Sequence, residues 1–208
     1  MKFNEWEPLY REIINDMGYD PDQDAHSARI LSEMLFDIKR SASLKTLFEL
    51  IRDNDVLVCG NAPCLGEDLL KIEPSEYCII AADGATAVLM NAGIVPHIIV
   101  TDLDGDIEAQ IEANSQGAVM VVHAHGDNIP AINSVVPQLC NIIGSTQAQP
   151  LENVFNFGGF TDGDRCVFLA KEFQASGIIM IGFDFNDPGV TDIKKKKLKW
   201  AKKLISLV

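Results

Sequence analysis

Three acidic residues follow one short run of mostly apolar residues at close spacing. Asp102, Asp104 and Asp106 lie in the segment TDLDGD, directly after residues 97–100. Two carboxylates one residue apart at the end of a strand can bind the same hard cation, while the apolar residue between them points into the protein. Such neighbouring acids repel one another unless they are solvated, capped or metal-bound. The pattern predicts that Asp102 and Asp104 bind Mg²⁺.

A second polar segment, HAHGDN, follows residues 118–122 and contains His123, His125 and Asp127. Two histidines with an aspartate could bind zinc, but further zinc ligands are scarce. Only two other histidines occur, His26 and His97. We therefore interpret His123 and His125 as contacts to the phosphates of a nucleotide. Asp127 either contacts phosphate or joins Asp102 and Asp104 around magnesium.

Two further turns carry small or acidic residues. Gly60 and Asn61 follow residues 56–59, and small residues there let backbone N–H groups approach a phosphate. The segment is neither a Walker loop nor a GxGxxG motif, so an ordinary tight turn is the alternative. Asp83 follows residues 77–82 in the segment DGAT, where it could cap a helix, bind a metal or orient a substrate hydroxyl.

The segment GGFTDGDR precedes a predicted helix over residues 166–173. Thr161 or Asp162 could cap that helix or contact ATP. Arg165 is one of three basic residues between positions 53 and 193. It is either an ion-pair partner of nearby carboxylates or a group that binds ATP and stabilises transferring phosphate charge.

These segments follow short runs of apolar residues that recur along most of the chain. Continuous rather than alternating apolar runs are typical of strands buried on both faces. We predict a Rossmann-like α/β fold with a mainly parallel sheet and flanking helices. The polar segments then converge, because ligands of such sheets bind at the carboxyl ends of the strands. The six predicted strands cover residues 56–59, 77–82, 97–100, 118–122, 154–157 and 178–181.

The chain divides into two predicted parts. Residues 1–52 show helical spacing of apolar side chains, and we expect a helical N-terminal extension that acts as a lid or a homodimer contact. Residues 53–208 form the predicted α/β domain. It ends in an amphipathic helix with seven lysines between positions 194 and 208. Those lysines either face solvent or fold over the acidic domain and guide a nucleotide inward.

The charge is distributed unevenly, although the whole chain of 208 residues carries a formal net charge of −13. Residues 53–193 contain 20 acidic and three basic residues. This balance opposes binding to nucleic acid or to an anionic membrane. A phosphate bound in so acidic a region requires metal ions.

Cysteine usage and hydropathy predict a cytoplasmic protein. The chain has five cysteines, and none is part of a CxxC pair. Cys59, Cys78 and Cys166 lie in or beside apolar runs, as reduced core cysteines do. The N-terminus has no apolar signal core, and no apolar run reaches the length of a membrane span.

Together, the segments AADGAT (81–86), VPHIIVTDLDGD (95–106), HAHGDN (123–128) and GGFTDGDR (158–165) resemble archaeal 6-hydroxymethyl-7,8-dihydropterin diphosphokinases. The resemblance covers roughly residues 50–190. The first two segments are also similar to the ADGG and GDxD motifs of thiamine pyrophosphokinases. Those enzymes carry Gly and Asn where this chain has Ala85 and Thr86, which favours a pterin acceptor.

The resemblance implies transfer of an intact diphosphoryl group from ATP to a pterin-type alcohol, with Mg²⁺ required and AMP released. Asp102 and Asp104 match the metal-binding motif, Asp83 matches the Asp of ADGG, and Asp127 is a further acidic ligand. Asp83 or Asp127 would orient or deprotonate the acceptor hydroxyl. Thiamine pyrophosphokinase and a nucleotide-sugar-dependent glycosyltransferase-like domain are the alternatives.

Overall fold

The structure, a computed structural model, describes residues 1–38 and 41–208. Seven parallel strands form one sheet in the order β6-β5-β4-β3-β2-β1-β7. This confirms the predicted parallel α/β fold. The strands are β1 Asp55–Cys59, β2 Cys78–Ala82, β3 Ile98–Thr101, β4 Val119–Ala124, β5 Ile142–Thr146, β6 Val154–Phe155 and β7 Gly177–Ile181.

Helices precede, connect and follow the strands. They are α1 Phe3–Met17, α2 Pro21–Asp37, α3 Leu44–Ile51, α4 Leu65–Leu69, α5 Ala85–Asn91, α6 Ile107–Ser115, α7 Ile129–Val135, α8 Asp162–Glu172 and α9 Asp192–Ile205. Within residues 1–38 and 41–208, no helix combines the length and the apolar character that a membrane crossing needs.

Strand β5 is the element that the sequence prediction missed. Its two isoleucines are followed by Gly144, Ser145 and Thr146, so the apolar run is too short to stand out. All five residues of the strand are nevertheless buried. A Cβ atom at Gly144 would lie 2.8 Å from Cδ1 of Leu35, so the glycine lets helix α2 pack closely on the sheet.

The connections place helices on both faces of the sheet. From β1 to β5 each strand lies beside its predecessor, and the intervening helices pack on one face. Helix α8 then crosses the opposite face, and the chain returns as β7 on the other side of β1. The strand order therefore reverses at β1, which creates a crevice at the carboxyl ends of β1 and β7.

The N-terminal helices pack on the same core. Helix α2 covers β4 and β5, and α3 joins α8 on the opposite face. The fully buried Trp6 of α1 contacts Phe168 of α8, and its Nε1 donates a hydrogen bond to the Gln147 carbonyl oxygen (2.8 Å). Residues 1–17 are thereby fixed to the loop after β5.

Helix α9 confirms the predicted amphipathic helix. Its apolar side carries the buried Leu204, which packs beside Trp6. On its basic side, Lys196 lies 3.0 Å from Asp16, and Lys203 lies 3.1 Å from Glu12. Part of the lysine-rich surface therefore contacts α1 rather than solvent alone.

Candidate active site

A cavity of about 530 Å³ opens at the point where the strand order reverses. The turns after β1, β2 and β3 line it, together with the start of α8 and part of α9. The structure thus brings together most of the residues that the sequence predicted to do chemistry. Those lining the cavity are Gly60, Asn61, Asp83, Asp102, Asp104, Thr161, Asp162 and Arg165.

Three carboxylates converge in this cavity. One oxygen from each of Asp83, Asp102 and Asp104 lies within 4.8 Å of the others. Asp83, for which metal binding was one of the predicted alternatives, joins Asp102 and Asp104 in this cluster, whereas Asp127, the third predicted metal ligand, lies outside it. Asp127 instead lies beside His125, with its Oδ1 2.7 Å from Nδ1 of the imidazole, and its side chain is 89% exposed. Clustered carboxylate oxygens are ligands that Mg²⁺ prefers.

Asp102 is held in place from the neighbouring strand end. Its Oδ2 lies 3.0 Å from Nε2 of His125, while its Oδ1 is buried without a hydrogen-bond partner in the described part of the chain. Burial opposes ionisation, but the hydrogen bond from His125 and the charge of Arg165 outweigh it and hold the pKa of Asp102 below its usual range. An ionised carboxylate oxygen that is buried without a hydrogen-bond partner is suited to bind a metal ion.

The backbone between the two aspartates explains their convergence. Leu103 adopts a left-handed conformation with φ 68°, and its side chain is 4% exposed within the core. This confirms the prediction that the intervening apolar residue points into the protein. The Leu103 N–H donates to Oγ1 of Thr101 (2.8 Å), which fixes the turn.

Asp83 is positioned by groups from β3 and α6. Its Oδ1 accepts hydrogen bonds from Oγ1 of Thr101 (2.5 Å) and Nε2 of Gln110 (2.9 Å). Its Oδ2 lies against Gly105. A Cβ atom added at position 105 would lie 2.2 Å from this oxygen. Only glycine therefore allows this approach of the Asp83 carboxylate to the TDLDGD turn.

Burial and the two neighbouring carboxylates both disfavour the charged form of Asp104. Burial, followed by the charges of Asp102 and Asp83, raises the pKa of Asp104 to about 7. A divalent cation among these oxygens would compensate that repulsion. The donor set and its electrostatics therefore fit magnesium.

The start of α8 places the guanidinium of Arg165 beside the carboxylates of the cavity. The Arg165 side chain is 7% exposed, and its Nη1 donates to Oδ1 of Asp162 (3.1 Å). Its Nη2 donates to Oε1 of Gln147 (3.2 Å). Burial and then the charge of Asp102 raise the pKa of Asp162 well above its ordinary value. Both predicted roles of Arg165 are compatible with this position, because it pairs with Asp162 and also lines the cavity.

Thr161 and Asp164 form a capping box at the start of α8, in which the Thr161 N–H donates to Oδ1 of Asp164 (2.7 Å). The Thr161 hydroxyl donates to Oδ1 of Asp164, whose Oδ2 accepts from the Phe160 N–H (2.6 Å). The cap leaves the N-terminal end of α8 directed at the cavity. Backbone N–H groups at such an end favour anions.

His123 is the predicted site residue that lines neither this cavity nor the one described next. It is 2% exposed, and its Nδ1 lies 3.1 Å from Oγ of Ser145 on β5. Its Nε2 and the Nε of Arg165 both lack a partner among the described residues, and both side chains line a void of about 10 Å³. The structure places His123 behind Arg165.

A second cavity, of about 400 Å³, adjoins the first. Asp102, Phe160, Arg165 and Lys197 line both, so the two cavities meet beside the three carboxylates. The turn between α1 and α2 forms its outer wall. His125 and Asp127 line this smaller cavity rather than the larger one.

Asp24 fixes that wall to the sheet. Its Oδ1 accepts from the Gly126 N–H (2.8 Å). Its Oδ2 accepts from the Tyr10 hydroxyl (2.6 Å) and from Nε2 of Gln147 (2.8 Å). Asp24 itself is 4% exposed. One buried carboxylate therefore joins α1, α2 and the loops after β4 and β5.

Two lysines of α9 complete the lining, and site prediction from the sequence did not single them out. Lys194 and Lys197 line the larger cavity, and Lys197 also lines the smaller one. The excess of lysine at the end of an acidic chain was the available signal. This placement agrees with the alternative in which the basic helix folds over the acidic domain.

The sequence matches one family model and several named relatives. A family model described as "6-hydroxymethylpterin diphosphokinase MptE-like" matches residues 31–189. The relative from Pyrococcus furiosus is 42% identical over 218 aligned positions, which cover 99% of this chain and 93% of the relative. The relative from Methanocaldococcus jannaschii is 41% identical over 230 positions, covering 99% and 95%. Both are named 6-hydroxymethyl-7,8-dihydropterin pyrophosphokinase.

A third such relative, from Methanothermobacter thermautotrophicus, is 40% identical and covers 99% of the chain and 94% of its own length. It carries the same name. The matched residues 31–189 include every predicted site residue, from Gly60 to Arg165. The chain therefore belongs to the 6-hydroxymethylpterin diphosphokinase MptE-like family.

Proposed function

We propose that this chain transfers the diphosphoryl group of ATP to the hydroxymethyl group of 6-hydroxymethyl-7,8-dihydropterin and releases AMP, as a step of pterin cofactor biosynthesis. One observation carries the proposal. Three convergent carboxylates stand where two cavities meet, so two substrates can reach one metal centre. The names of the relatives support the same reaction.

Asp83, Asp102 and Asp104 are the proposed Mg²⁺ ligands. The unpartnered Oδ1 of Asp102 supports this assignment, as does the pKa of Asp104, which burial and then repulsion by Asp102 and Asp83 raise. When bound, Mg²⁺ supplies charge neutralisation for the phosphate oxygens of ATP. Asp127 contacts His125 rather than the three carboxylates, so we assign it no direct place among the ligands.

The larger cavity is the proposed ATP site. The turn at Gly60 and Asn61 and the start of α8 at Thr161 line this cavity. The N–H groups of Asp162 and Gly163, in the first turn of α8, have no acceptor within the helix and suit phosphate oxygens. The N–H groups of Gly60 and Thr161 are already bonded, to the Ile181 carbonyl oxygen and to Oδ1 of Asp164. Lys194 and Lys197 add positive charge to the lining of this cavity. Because residues 53–193 are otherwise so acidic, these two lysines and Arg165 are the cations best placed to meet a triphosphate.

In the proposed reaction, the acceptor hydroxyl oxygen forms a bond to the β-phosphorus of ATP. The bond from that phosphorus to the oxygen bridging the α-phosphate breaks, and AMP leaves. The hydroxyl proton passes to a carboxylate or to solvent. Asp83 and Asp127 are the candidate acceptors of that proton, and Asp127 lines the smaller cavity beside His125. Most of the acceleration would come from positioning and charge neutralisation.

Arg165 has a defined part in this scheme. Its guanidinium is fixed by Asp162 and Gln147, and its side chain lines both cavities. A cation held rigidly at that junction stabilises negative charge that develops on the transferring diphosphoryl group. The bond to Asp162 keeps it in place between turnovers.

The proposed function is tested by incubating the protein with ATP, Mg²⁺ and hydroxymethyl-dihydropterin. We expect AMP and a diphosphorylated pterin in equal amounts, whereas ADP in place of AMP would contradict diphosphoryl transfer. AMP formed only with thiamine would assign the thiamine reaction instead. Release of a nucleoside diphosphate from a nucleotide sugar would assign glycosyl transfer.

A substitution in the carboxylate cluster tests the site. Asp102→Asn keeps the size of the side chain and removes its charge, so we expect turnover to be lost while circular dichroism shows an intact fold. The matched control is Glu108→Gln, because Glu108 is an exposed acid on the next helix and lines neither cavity. Near-normal activity of Asp102→Asn would refute the assignment.

A further inference from the structure

We propose that the smaller cavity binds the pterin ring and that the turn between α1 and α2 supplies its aromatic wall through Tyr19. The inference rests on the proposed function, because it assigns the acceptor of that reaction to one cavity. It gives the N-terminal extension, residues 1–52, a direct part in substrate binding.

The position of the cavity suits an acceptor. It meets the larger cavity at Asp102 and Arg165, beside the three carboxylates. A ring bound in the smaller cavity can therefore direct its hydroxymethyl group to the junction. A nucleotide in the larger cavity reaches the same junction from the other side, which suits an in-line transfer.

The charges that line the smaller cavity favour the pterin there over ATP. Carboxylates of Asp20, Asp24 and Asp127 line the smaller cavity, and its two cations, Arg165 and Lys197, both stand at the junction. A triphosphate is disfavoured beyond the junction, because like charges repel there. A neutral ring with an amino group and N–H donors is favoured, because it can donate to acidic groups.

Two aromatic side chains offer faces for a planar ring. The rings of Tyr19 and Phe160 lie 6.4 Å apart between centroids and are inclined by 42°. Phe160 is 6% exposed, whereas Tyr19 is 40% exposed at the edge of the cavity. Tyr19 is thus available to stack on a ligand, and the ring of Phe160 packs beside it.

The amide of Gln23 adds a polar contact. Gln23 lines the cavity and is exposed, and its amide has no hydrogen-bond partner among the described residues. An amide both donates and accepts, which matches the alternating donors and acceptors on the edge of a pterin. Gln147, by contrast, is already committed to Asp24 and Arg165.

The wall is held rigidly enough to act as a binding surface. Asp24, one residue after Gln23, accepts hydrogen bonds from Gly126, Tyr10 and Gln147. These bonds fix the start of α2 against the loop after β4. Tyr19 and Gln23 therefore keep their positions relative to Asp102.

Steady-state kinetics of the full chain with Tyr19→Ala test the proposal. Stacking of one base on an aromatic side chain changes affinity by about tenfold to a hundredfold. We expect Tyr19→Ala to raise the KM for the pterin by that factor and to leave the KM for ATP within about twofold. Tyr19→Phe should restore the wild-type KM, because it keeps the aromatic face.

The matched control is Phe36→Ala. Phe36 is an aromatic residue of α2 that is 62% exposed and lines neither cavity. We expect Phe36→Ala to change neither KM. Gln23→Ala provides a second variant at an exposed position, and we expect it to raise the KM for the pterin alone.

The outcomes separate this inference from the proposed function. If wild-type protein forms AMP but Tyr19→Ala leaves the KM for the pterin unchanged, the cavity assignment is wrong and the function stands. If Tyr19→Ala raises the KM for ATP instead, adenine occupies the cavity and the inference is overturned. If wild-type protein forms no AMP, the proposed function fails. Equilibrium binding of hydroxymethyl-dihydropterin to wild type and Tyr19→Ala then still decides the cavity assignment.

Discussion

His125 and Asp102 face each other across the ends of two neighbouring strands, with Nε2 of the imidazole 3.0 Å from Oδ2 of the carboxylate. The other imidazole nitrogen, Nδ1, lies 2.7 Å from Asp127. A carboxylate that a histidine orients in this way presents its second oxygen in one direction. In Asp102 that second oxygen is the buried Oδ1 without a partner in residues 1–38 and 41–208.

We therefore expect His125→Ala to weaken magnesium binding. Partners that orient metal ligands typically contribute 10- to 100-fold in metal affinity or activity. The Mg²⁺ concentration for half-maximal AMP formation should rise by about that factor, and excess Mg²⁺ should restore part of the rate. His26→Ala, at an exposed position of α2, is the control. An unchanged Mg²⁺ requirement in His125→Ala would remove His125 from this role.

Asp104→Asn should stabilise the metal-free protein while it impairs the enzyme. The carboxylates of Asp102 and Asp83 repel Asp104, and two unit charges 4 Å apart cost about 1 kcal/mol even in bulk water. One kcal/mol corresponds to roughly 2–4 °C in Tm for a chain of this size. In EDTA we expect the variant to melt a few degrees above wild type, and Mg²⁺ should reverse that order.

The control for this melting experiment is Glu152→Gln, an exposed acid outside both cavities. It should melt like wild type with and without Mg²⁺. If Asp104→Asn melts at or below the wild-type temperature in EDTA, repulsion among the three convergent carboxylates does not destabilise the metal-free protein.

The strand ends could be predicted from the sequence because their signals are local. Each buried strand is a continuous apolar run, and the polar residues follow directly, so Asp102 and Asp104 stood out from spacing alone. The burial of Leu103 between them also followed from the pattern. Strand β5 escaped because only Ile142 and Ile143 carry such a signal.

The partners of the site residues could not be predicted, because they depend on how distant elements pack. Asp83 joins Asp102 only when β2 and β3 pair, and Gln147 reaches Arg165 only when the loop after β5 meets α8. Ser145, the partner of the His123 imidazole, lies in the strand that was missed. Lys197 lies outside the matched segment 31–189, and packing of α9 alone brings it to the cavities.

Lys197→Gln should slow catalysis more than any other substitution of an α9 lysine. Lys197 is half-buried, lines both cavities and has no ion-pair partner within the described residues. A cation beside the transferring group contributes to stabilising its charge, so we expect kcat/KM for ATP to fall at least about tenfold. Lys199→Gln, at an exposed position of the same helix, should leave kcat/KM unchanged. Equal losses in the two variants would indicate only a general effect of net charge.

His123→Asn should make the protein less sensitive to acid. Burial lowers the pKa of His123 well below 6.5, so the folded protein keeps it neutral while the unfolded chain binds a proton. The unfolded chain then binds more protons below pH 6.5, and the free energy of unfolding falls with decreasing pH by up to about 1.4 kcal/mol per unit for this group. Urea unfolding between pH 7 and pH 5 should show a shallower loss in His123→Asn than in wild type. The exposed His26→Asn should keep the wild-type slope, and a wild-type slope in both variants would mean that the acid sensitivity resides elsewhere.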